Sequence, residues 1–142
     1  MSSTANDRQV GGTHYKAEAY QHWDFAIDAG LPYLEGQVTK YIDRHQRKKG
    51  REDFEKAIHF LEKLREAERE ERVGPPSLRR ATESAPFLKR FLGEHTHLSA
   101  EERQICAFMT RWISTSDLDW CLAAARRRLE ECYGAARLGE GG

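Results

Sequence analysis

Apolar residues recur with the period of an α-helix through the first half of the chain. Between Pro32 and Gly50 they fall at positions i, i+3, i+4 and i+7, namely Val38, Tyr41, Ile42 and His45. After Glu52 a second stripe of the same kind comprises Phe54, Ala57, Ile58, Leu61 and Leu64. Because the short Lys-Gly-Arg segment at 49–51 joins the two stripes, the pattern predicts two antiparallel helices that pack on each other.

Glycine, proline and serine residues divide the remaining sequence into further helical segments. Residues 17–29 form a predicted short helix that Gly30 ends, and a Gly-Pro-Pro-Ser cluster at 74–77 follows the hairpin. Beyond it we predict a helix through 87–92, a helix that begins with a capping box at Ser99 and Glu102, and a helix from Ser116 to Gly134. No segment has strand character, so the predicted fold is all-α, a helical hairpin core with additional C-terminal helices.

The same boundaries divide the chain into three predicted parts. Residues 1–12 are polar and form a predicted flexible tail. Residues 13–73 form a helical domain, and residues 74–142 form a C-terminal helical extension. A total of 142 residues suits one domain with an appendage. Because small helical proteins often complete their cores through symmetric partners, we also expect a homo-oligomer.

Composition excludes several classes of protein. The mean hydropathy is −0.80, and the longest apolar stretch, residues 120–125, is far shorter than the roughly 20 residues of a membrane span. The polar start lacks the apolar segment of a signal peptide, so we expect a cytoplasmic protein. The 23 basic and 23 acidic residues balance, which gives no specific signal for nucleic acid. Three cysteines without metal-binding or redox spacing favour reduced thiols.

Basic residues are concentrated in one segment of this neutral chain. Residues 36–51 contain six basic side chains and one acidic side chain, Asp43. If the helix continues to Gly50, four cations share the face opposite the apolar stripe: Lys40, Arg44, Arg47 and Lys48. Such a face can bind phosphate groups. The alternative is a solvated basic face that pairs with the acidic helix of residues 52–71.

Two further patterns concern ligands and metal ions. The Gly-Gly-Thr-His-Tyr-Lys motif at 11–16 lets the backbone approach a ligand closely, and His14 and Tyr15 supply a donor and a stacking ring; the alternative is an ordinary turn. Glu55, His59 and Glu62 have a spacing that metal ions can use, but exposed helix polarity explains it better. The His-x-His pattern at 95–97 is a weak metal signal. We assign no metal-ligating residue, and the P-loop motif is absent from the sequence.

Five short motifs within residues 11–66 resemble a small family of phage proteins. They are His-Tyr-Lys at 14–16, Tyr-Gln-x-Trp-Asp-Phe at 20–25, Gly-x-x-x-Lys-Tyr-Ile-x-Arg at 36–44, Lys-x-Gly-x-x-Asp at 48–53 and Lys-Ala-Ile-His-Phe-Leu at 56–61. This family is known as nucleotide kinase-like and is typified by an early deoxynucleotide kinase of short-tailed coliphages that lacks a P-loop. Gln37 and His22 depart from the asparagine and proline more usual in the family.

The resemblance implies a phage protein that acts on nucleotides in the bacterial cytoplasm. It favours phosphate contacts from Lys40, Arg44, Lys48 and Lys56, in addition to the nucleotide contacts of His14 and Tyr15. The resemblance assigns no catalytic residue; our candidate for that role is Asp53, which would bind Mg²⁺ or accept a proton. Helix capping explains an aspartate at that position equally well.

Three functional hypotheses follow. The first is phosphoryl transfer to a deoxynucleoside monophosphate with Mg²⁺ as cofactor, chemistry that consists mainly of positioning and charge neutralisation. The second is non-catalytic sequestration of a nucleotide such as a host defence signal. The third is a structural or interaction module in which the helix pair serves as an oligomer interface. A further alternative rests on a weaker similarity of the helix pair to MazG-type pyrophosphohydrolases, which hold Mg²⁺ on paired carboxylate motifs. Two E-x-x-E motifs occur, at 52–55 and 68–71, but no E-x-x-D motif occurs in the sequence.

Overall fold

Six α-helices make up the fold in the computed structural model, which describes residues 19–134. In chain order they are α1 (His22–Asp28), α2 (Tyr33–Arg44), α3 (Arg51–Arg69), α4 (Leu78–Glu94), α5 (Ala100–Arg111) and α6 (Thr115–Tyr133). Residues 19–134 contain no strand, so the predicted all-α fold is confirmed. Of the helices within that range, none is both long and apolar enough to cross a membrane.

The predicted α2–α3 hairpin forms the centre of the molecule. α6 packs along α3, α5 contacts α2, α4 and α6, and α1 contacts α4 and α2. Fully buried side chains from these helices meet in one continuous core, which includes Phe25, Ile42, Phe54, Phe91 and Leu118. The connection at 74–77 is therefore a boundary between segments that share one core. Apolar side chains of the C-terminal extension therefore pack against the hairpin and contribute to its stability.

α2 is shorter than the sequence pattern predicts. It ends at Arg44, and residues 45–50 form turns before Gly50 reaches a positive φ of 53° at the start of α3. The carboxylate of Asp53 holds this turn, because it accepts the backbone N–H of Lys49 at 3.0 Å. The prediction of one helical face carrying four cations is wrong for this reason: Arg47 and Lys48 lie in the turn.

Two other helix starts differ from prediction. α4 begins at Leu78, nine positions before Phe87, because the Ser77 side chain caps it by accepting the N–H of Arg80; Pro86 lies inside the helix. α6 is capped by Ser114 rather than Ser116, since the Ser114–Asp117 capping box forms there. The Ser99–Glu102 capping box of α5 is confirmed.

Candidate functional site

Three cations converge on one aromatic ring at the exposed side of the hairpin. The Lys40 Nζ, the Arg44 Cζ and the Lys56 Nζ lie 5.2, 5.5 and 5.4 Å from the centroid of the Tyr41 ring. That ring stacks on Phe60 of α3, with centroids 5.9 Å apart and planes 5° from parallel. We call Lys40, Tyr41, Arg44, Lys56 and Phe60 the Tyr41 surface. Cation–π attraction keeps the cations near the ring although they repel one another.

The charges of the Tyr41 surface are only partly neutralised. Arg44 donates from Nε to the Oδ2 of Asp53 at 3.1 Å. No carboxylate in residues 19–134 lies within 4 Å of the ammonium group of Lys40 or Lys56. Pairing with acidic α3 thus accounts for Arg44, whereas the ammonium groups of Lys40 and Lys56 have no acidic partner among the described residues. A local positive field beside two aromatic rings attracts a planar anion.

An exposed ring extends this aromatic surface. Tyr33, at the start of α2, is 70% exposed and meets Phe60 edge to face, with centroids 6.2 Å apart. A nucleobase needs a ring face of this kind for stacking. Tyr41 and Phe60 were assigned by sequence to the apolar stripe or to a family motif, so their part in a site was missed. The signal that could have found them is the Lys56–Phe60 spacing of one helical turn.

Three other predicted binding residues, Lys48, His14 and Tyr15, are not among the described residues that form the Tyr41 surface. Lys48 is exposed in the α2–α3 turn, and within the described part of the chain no contact joins it to the Tyr41 surface. His14 and Tyr15 lie outside the described residues. The structure therefore brings together Lys40, Arg44 and Lys56 of the predicted set.

Asp53 lies under the turn rather than on the surface. Its side chain is fully buried, and its Oδ2 accepts from Arg44 Nε and from the Lys49 N–H. Its Oδ1 is buried and has no hydrogen-bond partner among the described residues. These contacts give Asp53 a structural role. The predicted catalytic role would depend on Oδ1, which has no hydrogen-bond partner among the described residues.

The carboxylate pairs of the hydrolase hypothesis are far apart. Glu52 and Glu68 lie near opposite ends of α3, about 24 Å apart along the axis at the usual helical rise. Glu52 pairs with Lys49, and Glu68 accepts the hydroxyl of Thr115. Within one chain these carboxylates cannot share a metal ion, so the geometry does not favour this alternative.

A groove between α4 and α5 is a second place with local positive charge. It has a volume of about 510 Å³, and its lining includes Lys89, Arg103 and Arg111 with Leu88 and Leu92 as an apolar floor. The nine lining residues include no carboxylate. It offers anion attraction and space, but it lacks the aromatic faces of the Tyr41 surface.

Two buried histidine–carboxylate clusters connect the hairpin to the later helices. In the first, Glu102 of α5 lies 2.8 Å from His45 Nε2 and 3.0 Å from Arg128 Nε. Burial acts to raise the pKa of the Glu102 carboxyl, but the hydrogen bonds from His45 and from the Ser99 N–H bring it below its usual value. In the second cluster, Asp43 of α2 lies 2.7 Å from His95 Nδ1.

A third histidine, His22, is partly buried and is held as a neutral group. Its Nε2 lies 2.6 Å from the Thr39 hydroxyl, and its ring meets Phe25 and Phe91 edge to face. Burial lowers the pKa of His22 from 6.5 to about 4. The unfolded chain therefore binds a proton that the folded protein does not bind, so stability falls as the pH drops from 6.5 towards 4.

We expect this group to remove about 2 kcal/mol of unfolding free energy between about pH 7 and about pH 5. The glutamine of His22→Gln cannot titrate. The difference in unfolding free energy between the two pH values, measured in urea, should therefore be smaller in His22→Gln than in the parent protein by this amount. His59→Gln is the control, because the His59 side chain is 83% exposed. A pH dependence that is unchanged in His22→Gln would contradict the assignment.

No protein-family model, no curated protein and no solved structure matches this chain.

Proposed function

We propose that the chain is a nucleotide-binding protein of the phage nucleotide kinase-like type, and that the Tyr41 surface receives the ligand. The observation that carries the proposal is the convergence of Lys40, Arg44 and Lys56 on the Tyr41 ring. The ammonium groups of the two lysines would bind phosphate oxygens, and the Phe60 and Tyr33 rings beside them would stack on the base.

Binding without turnover is the form of this function that the contacts favour. Phosphoryl transfer needs a carboxylate or metal beside the transferred group, and the buried carboxylate that contacts this surface, Asp53, already holds Arg44 and the turn. Sequestration requires only the cations and the rings.

The expected homo-oligomer stays a prediction, which the mass of the purified protein in solution would test.

The lysines of the Tyr41 surface provide the test. We expect Lys40→Gln/Lys56→Gln to bind deoxynucleotides about 100-fold more weakly in calorimetry, since each charge-assisted contact contributes about tenfold. Arg44 is left intact because it also bonds Asp53. Lys63→Gln/Arg79→Gln removes the same charge elsewhere and should bind like the parent protein.

The titrated series should include deoxynucleoside monophosphates, triphosphates and the free nucleosides. Phosphate recognition requires that the nucleosides bind far more weakly than their phosphates. A Lys40→Gln/Lys56→Gln protein that binds as well as the control would refute the assignment to the Tyr41 surface. A selective loss in Lys89→Gln/Arg103→Gln would place the ligand in the α4–α5 groove instead.

Phosphoryl transfer is a second candidate, and the unpartnered Oδ1 of Asp53 is the observation that favours it. A free carboxylate oxygen can take a Mg²⁺ ion or a proton. Incubation of the protein with ATP, Mg²⁺ and each deoxynucleoside monophosphate, followed by chromatography of the products, decides between the two. Diphosphate products would support transfer, and a ligand recovered intact after tight binding would support sequestration.

A further inference from the structure

The second histidine–carboxylate cluster combines residues from two distant parts of the chain. Asp43 lies on α2, whereas His95 and His97 lie in the loop after α4. The Asp43 Oδ1 is 2.7 Å from His95 Nδ1 and 3.1 Å from His97 Nε2. One ligand atom from each residue lies within 4.8 Å of the other two. Two imidazoles and a carboxylate, brought together in this way, form a donor set typical of transition-metal sites.

The orientation of His95 is set by a backbone carbonyl. Its Nε2 lies 2.8 Å from the carbonyl oxygen of Tyr20, which can only accept, so Nε2 carries a proton. Its Nδ1 faces the Asp43 carboxylate at 2.7 Å, so this nitrogen also carries a proton, which it donates to Oδ1. A metal ion would take the place of that proton. Metal-binding histidines are commonly oriented by such a bond from the opposite ring nitrogen.

His97 gives the cluster an opening to solvent. Its side chain is 19% exposed, while Asp43 and His95 are each 1% exposed. A metal bound by the three would thus have its fourth position beside the partly exposed ring, where water can reach it. The first histidine–carboxylate cluster differs, because Arg128 and the Ser99 N–H also donate to Glu102 there.

Arg47 is the group that opposes a metal ion at this position. Its guanidinium donates to His97 Nδ1 at 2.8 Å, which places the proton of the neutral His97 ring on Nε2. The Nε2 proton is donated to the backbone carbonyl oxygen of Asp43 at 2.8 Å. A metal on Nε2 therefore requires that this bond break, that the proton move to Nδ1 and that Arg47 withdraw from Nδ1. Arg47 also adds positive charge beside Asp43, so its removal should favour a cation.

We propose that Asp43, His95 and His97 bind one zinc ion per chain, with water as the fourth ligand. Nitrogen donors select zinc over magnesium, so this site is separate from any Mg²⁺ used in phosphoryl transfer. It is also separate from the Tyr41 surface, and failure of the proposed nucleotide binding would leave it untouched.

The test uses the full chain after treatment with a chelator and its removal. Calorimetry with zinc chloride should show one saturable site, and cobalt should give the visible absorption of a four-coordinate ion. His97→Ala is the informative variant because its side chain is the least buried of the three. We expect zinc to bind this variant more than about 100-fold more weakly, because loss of a ligand should cost at least as much affinity as loss of a residue that only hydrogen-bonds to a ligand. His59→Ala, which removes an exposed imidazole, should retain the site.

Two further variants distinguish a zinc site from a purely structural hydrogen-bond network. Arg47→Gln should bind zinc more tightly, a direction that such a network does not produce. Cys132→Ser should bind zinc normally, a result that would exclude the half-buried Cys132 thiol as the zinc ligand. Absence of saturable zinc binding by the chain, or equal affinities of His97→Ala and His59→Ala, would overturn the proposal.

Discussion

Replacing Glu102 by alanine is expected to cost about 3–5 kcal/mol of unfolding free energy, the largest effect of a single substitution that we predict. The side chain is fully buried and accepts from His45 Nε2, Arg128 Nε and the Ser99 N–H at 2.8–3.0 Å. Alanine leaves these three donors without an acceptor inside the protein. It also removes half of the capping box that begins α5.

The neighbouring glutamate offers a matched control for this experiment. Glu101 lies on the same helical turn and pairs with Arg127 in a contact open to solvent. Exposed ion pairs contribute at most about 1 kcal/mol, so Glu101→Ala should be nearly neutral. Urea unfolding followed by circular dichroism measures both variants. A Glu102→Ala protein as stable as Glu101→Ala would show that the cluster contributes little.

Replacing Asp53 by alanine is expected to cost about 2–3 kcal/mol. The reason is the loss of an acceptor for Arg44 Nε and for the Lys49 N–H, which together hold the turn between α2 and α3. The position in the first turn of α3 adds a favourable interaction of the carboxylate with the helix dipole. Chemical denaturation should show this loss directly.

Asp53→Asn separates this structural role from the predicted catalytic one. Its amide oxygen can still accept a hydrogen bond, so the structural role predicts a smaller loss of stability than in Asp53→Ala and unchanged nucleotide affinity. A catalytic carboxylate predicts that any turnover disappears in Asp53→Asn while the protein stays folded. Glu52→Ala, an exposed carboxylate in the same turn, is the control and should alter neither property.

Local signals explain why much of the fold could be predicted. The α2–α3 hairpin follows from two apolar stripes and a glycine, and the start of α5 follows from the Ser99–Glu102 pair. The start of α4 was not predictable in the same way, because Ser77 begins the helix while Pro86 interrupts its pattern. Ser114 and Ser116 both precede an acidic residue by three positions, so this local signal alone does not decide between them, and the structure has its capping box at Ser114.

The candidate site could be predicted only where its residues are neighbours in sequence. Lys40 and Arg44 lie within one turn of Tyr41, but the approach of Lys56 and Phe60 depends on how α3 pairs with α2. The Asp43–His95 contact spans 52 positions. Such a contact leaves no periodic trace in the sequence, because it depends on the topology that brings α2 to the end of α4.

The contact between Tyr133 and His45 has a consequence for synthesis on the ribosome. The Tyr133 hydroxyl lies 2.6 Å from His45 Nδ1, and the two residues are 88 positions apart. At ordinary translation rates, His45 is polymerised about 4–18 s before this partner. The nascent hairpin must therefore wait, with its interior polar groups hydrated, until α6 has left the exit tunnel and can close over it.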